Sequence, residues 1–250
     1  MKTLKITSAA VLALSLLSAA PAFAATAGSY ITQGTAGFSA TTPPVTTPPV
    51  VNPTNPTNPV GPGVTPNPAP VAPGTPGNTT SEPLTIDYAP TLKFGTGSDS
   101  VTAQTLYAQA QKWSDGTTSP NYLQVTDSRG TNAGWFVTLA ASPFTSTSSA
   151  TLTGATLMFS NGNIVGPSVN LADQLFNTDK GATVATDSSV NNIFGATAGH
   201  GSGTNLLEFG GTTTTDSTGE KSIALNIPNG AAQAESYTST LTWTMNNVPS

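Results

Sequence analysis

Tyr237-Thr238-Ser239-Thr240-Leu241-Thr242-Trp243-Thr244-Met245 is the stretch whose reading decides the fold. Tyr237, Ser239, Leu241, Trp243 and Met245 fall on one side of a period-two pattern, and Thr238, Thr240, Thr242 and Thr244 fall on the other. Successive side chains of a strand point to opposite faces, so an apolar side backed by a Thr side marks a half-buried antiparallel strand. The same alternation recurs at Leu84 and Ile86, at Leu123 and Val125, at Trp135, Val137 and Leu139, and at Ile223, Leu225 and Ile227. Asn161-Gly162, between Leu157-Met158-Phe159 and Ile164-Val165, has the form of a two-residue hairpin. Helical period is scarce. Val101 to Trp113 reads equally as helix or as strand and loop, and Leu171 to Phe176 predicts one short helical turn. The expected fold is all-β, an antiparallel β-sandwich whose sheets face each other across their apolar sides.

Composition narrows the function. Only 8% of the 250 residues are charged, against roughly a quarter in ordinary soluble proteins, and 44 Thr hydroxyls supply polar surface instead. Apolar residues make up 36%, enough with Gly for a buried core. Seven basic residues against twelve acidic ones argue against a nucleic-acid partner, which needs basic stripes to meet phosphates. The absence of Cys removes disulfides and cysteine-held zinc or iron–sulfur sites. No cofactor is expected.

The chain divides at sharp changes in composition. Residues 1–24 read as a secretory signal: Lys2 and Lys5, the apolar run Ala9 to Ala20, then Ala22-Phe23-Ala24 for cleavage after Ala24. That run is too short to span a bilayer, so no direct membrane insertion is expected. Removing Lys2 and Lys5 leaves five basic against twelve acidic residues, a net charge of −7. Residues 25–40 form a short N-terminal segment. Residues 41–81 are rich in Pro, Thr and Asn, with 13 of the 21 prolines between Pro43 and Pro76. Proline fixes φ and removes a donor, so this stretch is expected to be extended polyproline II without helix or sheet ladder. At roughly 3.1 Å per residue, the 34 residues from Pro43 to Pro76 reach at most about 105 Å. All 17 charges that remain lie from Glu82 onward, so the folded domain is expected over 82–250. The chain ends Asn247-Val248-Pro249-Ser250, without an apolar tail or sorting signal, and any attachment is expected to be non-covalent.

Catalytic candidates are few. His200 is the only histidine, in Gly199-His200-Gly201-Ser202-Gly203. A nucleophile elbow needs Gly two residues before the Ser, where His200 stands, so a flexible surface loop without an acid partner is expected. Asp99, Asp115, Asp127, Asp173, Asp179 and Asp187 are scattered, and nothing marks the carboxylate pair that a glycosidase holds across its cleft. A secreted carbohydrate-active enzyme using paired carboxylates is the alternative reading, and no enzyme is the preferred one.

Two tryptophan segments remain. One runs Thr126-Asp127-Ser128-Arg129-Gly130-Thr131-Asn132-Ala133-Gly134-Trp135-Phe136-Val137-Thr138-Leu139, and the other runs from Tyr237 to Pro249. Together they resemble the paired signature of WxL-domain surface proteins of low-GC Gram-positive bacteria. The first motif matches at Gly134 and Trp135, with Val137 where that family has Leu. The second matches at Tyr237, Leu241, Thr242, Trp243 and Pro249, with Met245 in place of Leu. Pro83-Leu84-Thr85-Ile86-Asp87-Tyr88 with Leu92-Lys93-Phe94-Gly95 is similar to the family's opening segment, and Gly34-Thr35-Ala36-Gly37-Phe38 to its N-terminal piece. On that likeness, 34–40 is an outlying strand of the domain and the Pro-rich stretch an internal loop; the residues alone leave loop and tether open.

The resemblance implies a surface protein held non-covalently on the cell wall, with peptidoglycan as ligand. It also implies complexes with other WxL proteins and wall-associated membrane proteins. For Trp135 and Trp243 two roles stay open: core packing, or part of an aromatic platform for a sugar ring or a partner chain. A chain of charge −7 is not steered toward anionic wall polymers, so contacts have to carry any wall binding. A protein partner adding a strand at an open sheet edge is at least as plausible physically.

Overall fold

A computed structural model of the chain describes residues 50–56, 64, 66–67, 83–98, 101–175, 182–210 and 221–247. The expected signal segment, the N-terminal piece, most of the Pro-rich stretch and Pro249 lie outside the described residues. The described chain is all-β, with strands β1 Pro66–Asn67, β2 Leu84–Tyr88, β3 Gln104–Tyr107, β4 Gln111–Trp113, β5 Thr118–Ser119 and β6 Asn121–Asp127. They continue as β7 Trp135–Ala141, β8 Thr145–Ser146, β9 Thr156–Phe159, β10 Gly162–Val165, β11 Gln174–Leu175 and β12 Ala182–Ala185. The last five are β13 Val190–Ala196, β14 Gly203–Phe209, β15 Ile223–Ile227, β16 Tyr237–Thr238 and β17 Leu241–Asn246. Val101 to Trp113 is therefore strand and loop.

All pairings are antiparallel, as expected for a chain whose strands alternate apolar and polar. Three four-stranded sheets have the orders β10-β14-β6-β2, β11-β13-β7-β17 and β12-β9-β15-β3. Each turns an apolar face to one shared core: Leu123 and Leu207 from the first, Val137 and Phe194 from the second, Leu157 and Leu225 from the third.

Four local expectations are corrected. Asn161-Gly162 does not close a hairpin, because β9 pairs with β12 and β15 while β10 pairs with β14. Asn161 adopts φ 54°, and the turn is a corner that carries the chain from one sheet to another. Leu171 to Leu175, the described part of the expected helical turn, is not helical: Gln174–Leu175 pairs with Phe194 and Gly195, so a neighbouring strand satisfies backbone groups that one turn would leave open. The stretch from Tyr237 to Met245 is not one strand. Its first part pairs with β8 and its second with β7, and the break faces Ser142-Pro143, where proline offers no N–H to the ladder. Ser239 Oγ there donates to the Ser142 carbonyl at 2.6 Å, and the Ser142 N–H donates to the Thr240 carbonyl at 2.9 Å.

The fourth correction concerns the Pro-rich stretch, which does form ladder contacts. Pro66–Asn67 pairs with Lys112–Trp113 at an edge, where a missing proline donor is tolerated. Val51 is buried, and its N–H donates to Gln124 Oε1 at 2.9 Å. Val51, with Val50 and Val64, packs in one apolar cluster with Tyr122 on the second face of β6, a strand buried on both sides. On that face Tyr88 stacks on Tyr122 at 4.4 Å, and Trp113 lies 6.2 Å beyond Tyr122. Asp87 is buried there too, accepting from Thr85 Oγ1, Thr126 Oγ1 and Gln124 Nε2 at 2.6, 2.5 and 3.0 Å. Burial pushes its carboxyl above the usual range, and the three hydrogen bonds only partly offset that.

Candidate functional site

The two tryptophan motifs lie on neighbouring strands of one sheet, β7 and β17, and their environments differ. Trp135 is fully buried at the start of β7, edge-on to Phe194 at 5.0 Å. Its indole N–H donates to the Gly201 carbonyl at 3.1 Å, which satisfies the one polar atom of the ring. Glycine on either side makes this fit. A Cβ on Gly134 (φ +80°) would stand 2.5 Å from the Ala196 carbonyl oxygen, and one on Gly201 (φ +79°) would stand 2.6 Å from Trp135 Nε1. Val137 is buried further along the same strand.

The Gly199–Gly203 loop is thus a lid on Trp135 rather than a free surface loop. Asn170 Nδ2 donates to the Gly199 carbonyl at 2.7 Å, and Asn205 Nδ2 donates to the Gly201 and Gly203 carbonyls, both at 2.9 Å. His200 points outward and does have a carboxylate near it, Asp173, at 4.0 Å. Partial burial pushes the Asp173 carboxyl up, but hydrogen bonds from Thr197 and the nearby His200 hold it below the usual range. No hydrogen bond joins His200 to Ser202 among the described residues, so the pair lacks the geometry of a nucleophile and its base.

Trp243 is only half-buried. It meets Phe159 edge-on at 6.3 Å and, with Leu241, Met245 and Tyr237, packs on the margin of the core. These four residues line a long groove. Its floor is apolar, from Leu84 and Ile86 of β2, Leu106 of β3, and Leu225 and Ile227 of β15. Segment 89–98 forms another part of the wall. Three of the bordering strands, β2, β3 and β17, are the edge strands of the three large sheets. The groove therefore lies where the shared core is left open.

Arg129 joins the two motifs, a role the sequence did not announce. Its Nε and Nη2 grip both oxygens of Asp127 at 3.0 and 2.9 Å. The same Nη2 donates to the Gly134 carbonyl at 2.8 Å, and Nη1 donates to the Asn247 carbonyl at 3.1 Å. A planar fork with five donors suits this bridging, and a lysine cannot reproduce it. The signal was within reach, since Asp127-Ser128-Arg129-Gly130 precedes Gly134, but the contact with Asn247 spans 118 residues.

Among the described residues no cluster of His, Asp or Glu has the arrangement to hold a metal ion, and no helix is long and apolar enough to cross a membrane. Among the described residues the groove is lined by one carboxylate, Glu235, which is fully exposed and is held below the usual range by the Ser146 and Ser148 hydroxyls. Asp87 and Glu208, both pushed up by burial, lie away from the groove and are hydrogen-bonded by their own neighbours.

The described residues thus form an all-β fold with two linked Trp motifs and an apolar groove beside one of them. Residues 25–249 match the model of the WxL domain, described as surface cell wall-binding, and the chain belongs to that family. It is thereby a cell wall-binding protein of the cell surface. No curated protein and no solved structure matches it.

Proposed function

We propose that the chain is a secreted, non-catalytic protein whose signal segment is removed after Ala24. It attaches non-covalently to the wall through the groove beside β17. The observation that carries this reading is the placement of Leu241, Trp243 and Met245, motif residues that line an open groove instead of closing the core. Trp135, Gly134 and Val137 act from below: they hold β7, and β7 holds β17. Peptidoglycan is the ligand on this reading. That the described residues of the groove include one carboxylate speaks against paired-carboxylate hydrolysis. The 82–250 segment makes up the bulk of the domain, and the Pro-rich stretch acts as a loop packed against it, a role supported by Val51 and by the pairing of Pro66–Asn67.

Cosedimentation of mature chain 25–250 with purified, protein-free walls tests it. The wild type is expected to pellet with the walls, and Trp243→Ala is expected to lose at least about tenfold in apparent affinity, the scale of an aromatic hot spot. Undiminished pelleting of the variant would remove the groove from the account. A second reading, attachment to an envelope protein complex that includes other WxL or wall-associated membrane proteins, is favoured by the outer edge of β17, which no strand among the described residues pairs with.

A further inference from the structure

The hydrogen-bonding parity of β17 shows which of its backbone groups are free. The Ser142 N–H donates to the Thr240 carbonyl, and on the far side of β7 the Ser188 N–H donates to the Ala141 carbonyl. Even-numbered residues of β7 therefore turn their backbone groups to β17, and odd-numbered ones turn theirs to β13. With Leu241 opposite Ala141 and Trp243 opposite Leu139, residues 242 and 244 bond to β7. The N–H and C=O groups of Leu241, Trp243 and Met245 point the other way, and among the described residues no strand pairs with that edge. The motif residues thus carry both the apolar lining of the groove and a row of donors and acceptors that no described strand pairs with.

Such an edge beside an apolar trough is a template for one more strand. A glycan chain has no repeating N–H and C=O groups at strand spacing, whereas an extended peptide has them at every second residue. Charge narrows the occupant further. The groove holds two of the four described cations, Lys93 and Arg129, and one of the seven described carboxylates, Glu235. Four of the five Arg129 N–H groups are already engaged, and Lys93 is exposed without an ion pair among the described residues.

We propose that the groove takes an extended segment of a partner protein as a fifth strand of the β11-β13-β7-β17 sheet. The segment pairs with the open edge at Leu241, Trp243 and Met245, sets alternate apolar side chains into the groove, and carries an acidic residue toward Lys93. The proposal rests on the second reading of the groove, attachment to an envelope protein, and names an extended polypeptide as the partner held there.

Amide hydrogen exchange on mature chain 25–250 tests it, with a nine-residue peptide of alternating Val and Thr ending in Asp as the probe. Without peptide, the amides of Thr242 and Thr244 are expected to be protected and those of Leu241, Trp243 and Met245 to exchange freely. Saturating peptide is expected to slow the latter three at least about tenfold. The same peptide N-methylated at alternate residues on its pairing edge is expected to have no effect. Three results would overturn the proposal: edge amides protected before any peptide is added, equal protection by the N-methylated peptide, or protection by soluble peptidoglycan glycan chains but not by the peptide. The last result would leave the groove standing as the wall site, whereas undiminished pelleting of Trp243→Ala on protein-free walls would remove the groove as the wall site and leave the peptide result to decide the proposal.

Discussion

Trp135 and Trp243 belong to paired motifs on adjacent strands of one sheet, yet the fold uses them in opposite ways. Trp135 is sealed by Phe194, Gly134 and the Gly199–Gly203 loop, with its indole N–H satisfied. Trp243 stands at a sheet edge with one face on Phe159 and the rest of its surroundings in an open groove. A shared motif does not make a shared role. The buried tryptophan fixes where the exposed one sits, so changes at the first should be read in stability and changes at the second in binding.

The sharpest way to break this contrast is to empty the sealed site. Trp135→Ala is expected to lower unfolding stability by about 3–5 kcal/mol, the range for a large buried aromatic, as a fall in the denaturant midpoint. Gly201→Ala attacks the same site from the lid, because its Cβ would meet Ala196 Cβ at 2.4 Å and Trp135 Nε1 at 2.6 Å. Strain and a displaced ring are expected to cost roughly 3 kcal/mol in the same measurement. Trp243→Ala removes a half-buried ring, so roughly 2 kcal/mol or less is expected. Equal losses at the two tryptophans would erase the distinction.

A smaller change probes the link between the motifs. Arg129→Lys keeps the charge but loses the fork that holds Asp127, Gly134 and Asn247. It is expected to cost about 1–2 kcal/mol and to weaken wall pelleting through the end of β17.

The smallest effect lies in pH. Asp87 has its folded pKa raised above 3.8 by burial, so the folded state holds this proton more tightly than the unfolded chain. Its contribution favours folding below 3.8 and is lost as pH rises through the folded value. Exposed Asp115 and Asp187, held low by Thr117 and Ser189, act in the opposite sense. The isolating measurement is the difference between wild type and Asp87→Asn. Thermal melts across mildly acidic pH should show the wild type losing stability relative to the variant as pH rises.

Much of this was legible in the residues. The alternation at Leu241, Trp243 and Met245 announced a strand with one apolar side, and the all-β class followed from its repetition. What stayed hidden was choice of partner. Asn161-Gly162 carries a hairpin signal, yet both flanking strands found longer ladders in other sheets, and local turn chemistry has no say over distant partners. The two-sided burial of β6 was masked because its second face is built from Tyr122, Gln124 and Thr126, residues that ordinarily mark a surface. Of the site, the motif residues were legible. Their division into a sealed and an open tryptophan was not, because Trp135 and Trp243 fall on identical apolar sides, and only the sheet order decides which strand has a neighbour.

The three tryptophans of the chain offer the most direct test. With mature chain 25–250 labelled with fluorotryptophan, fluorine NMR during titration with soluble wall fragments reports on Trp113, Trp135 and Trp243 separately. Attachment through the groove is expected to move the Trp243 resonance alone and leave the sealed pair, Trp113 and Trp135, unchanged. A shift at Trp113 or Trp135 with Trp243 unmoved would contradict the assignment of wall binding to the β17 groove.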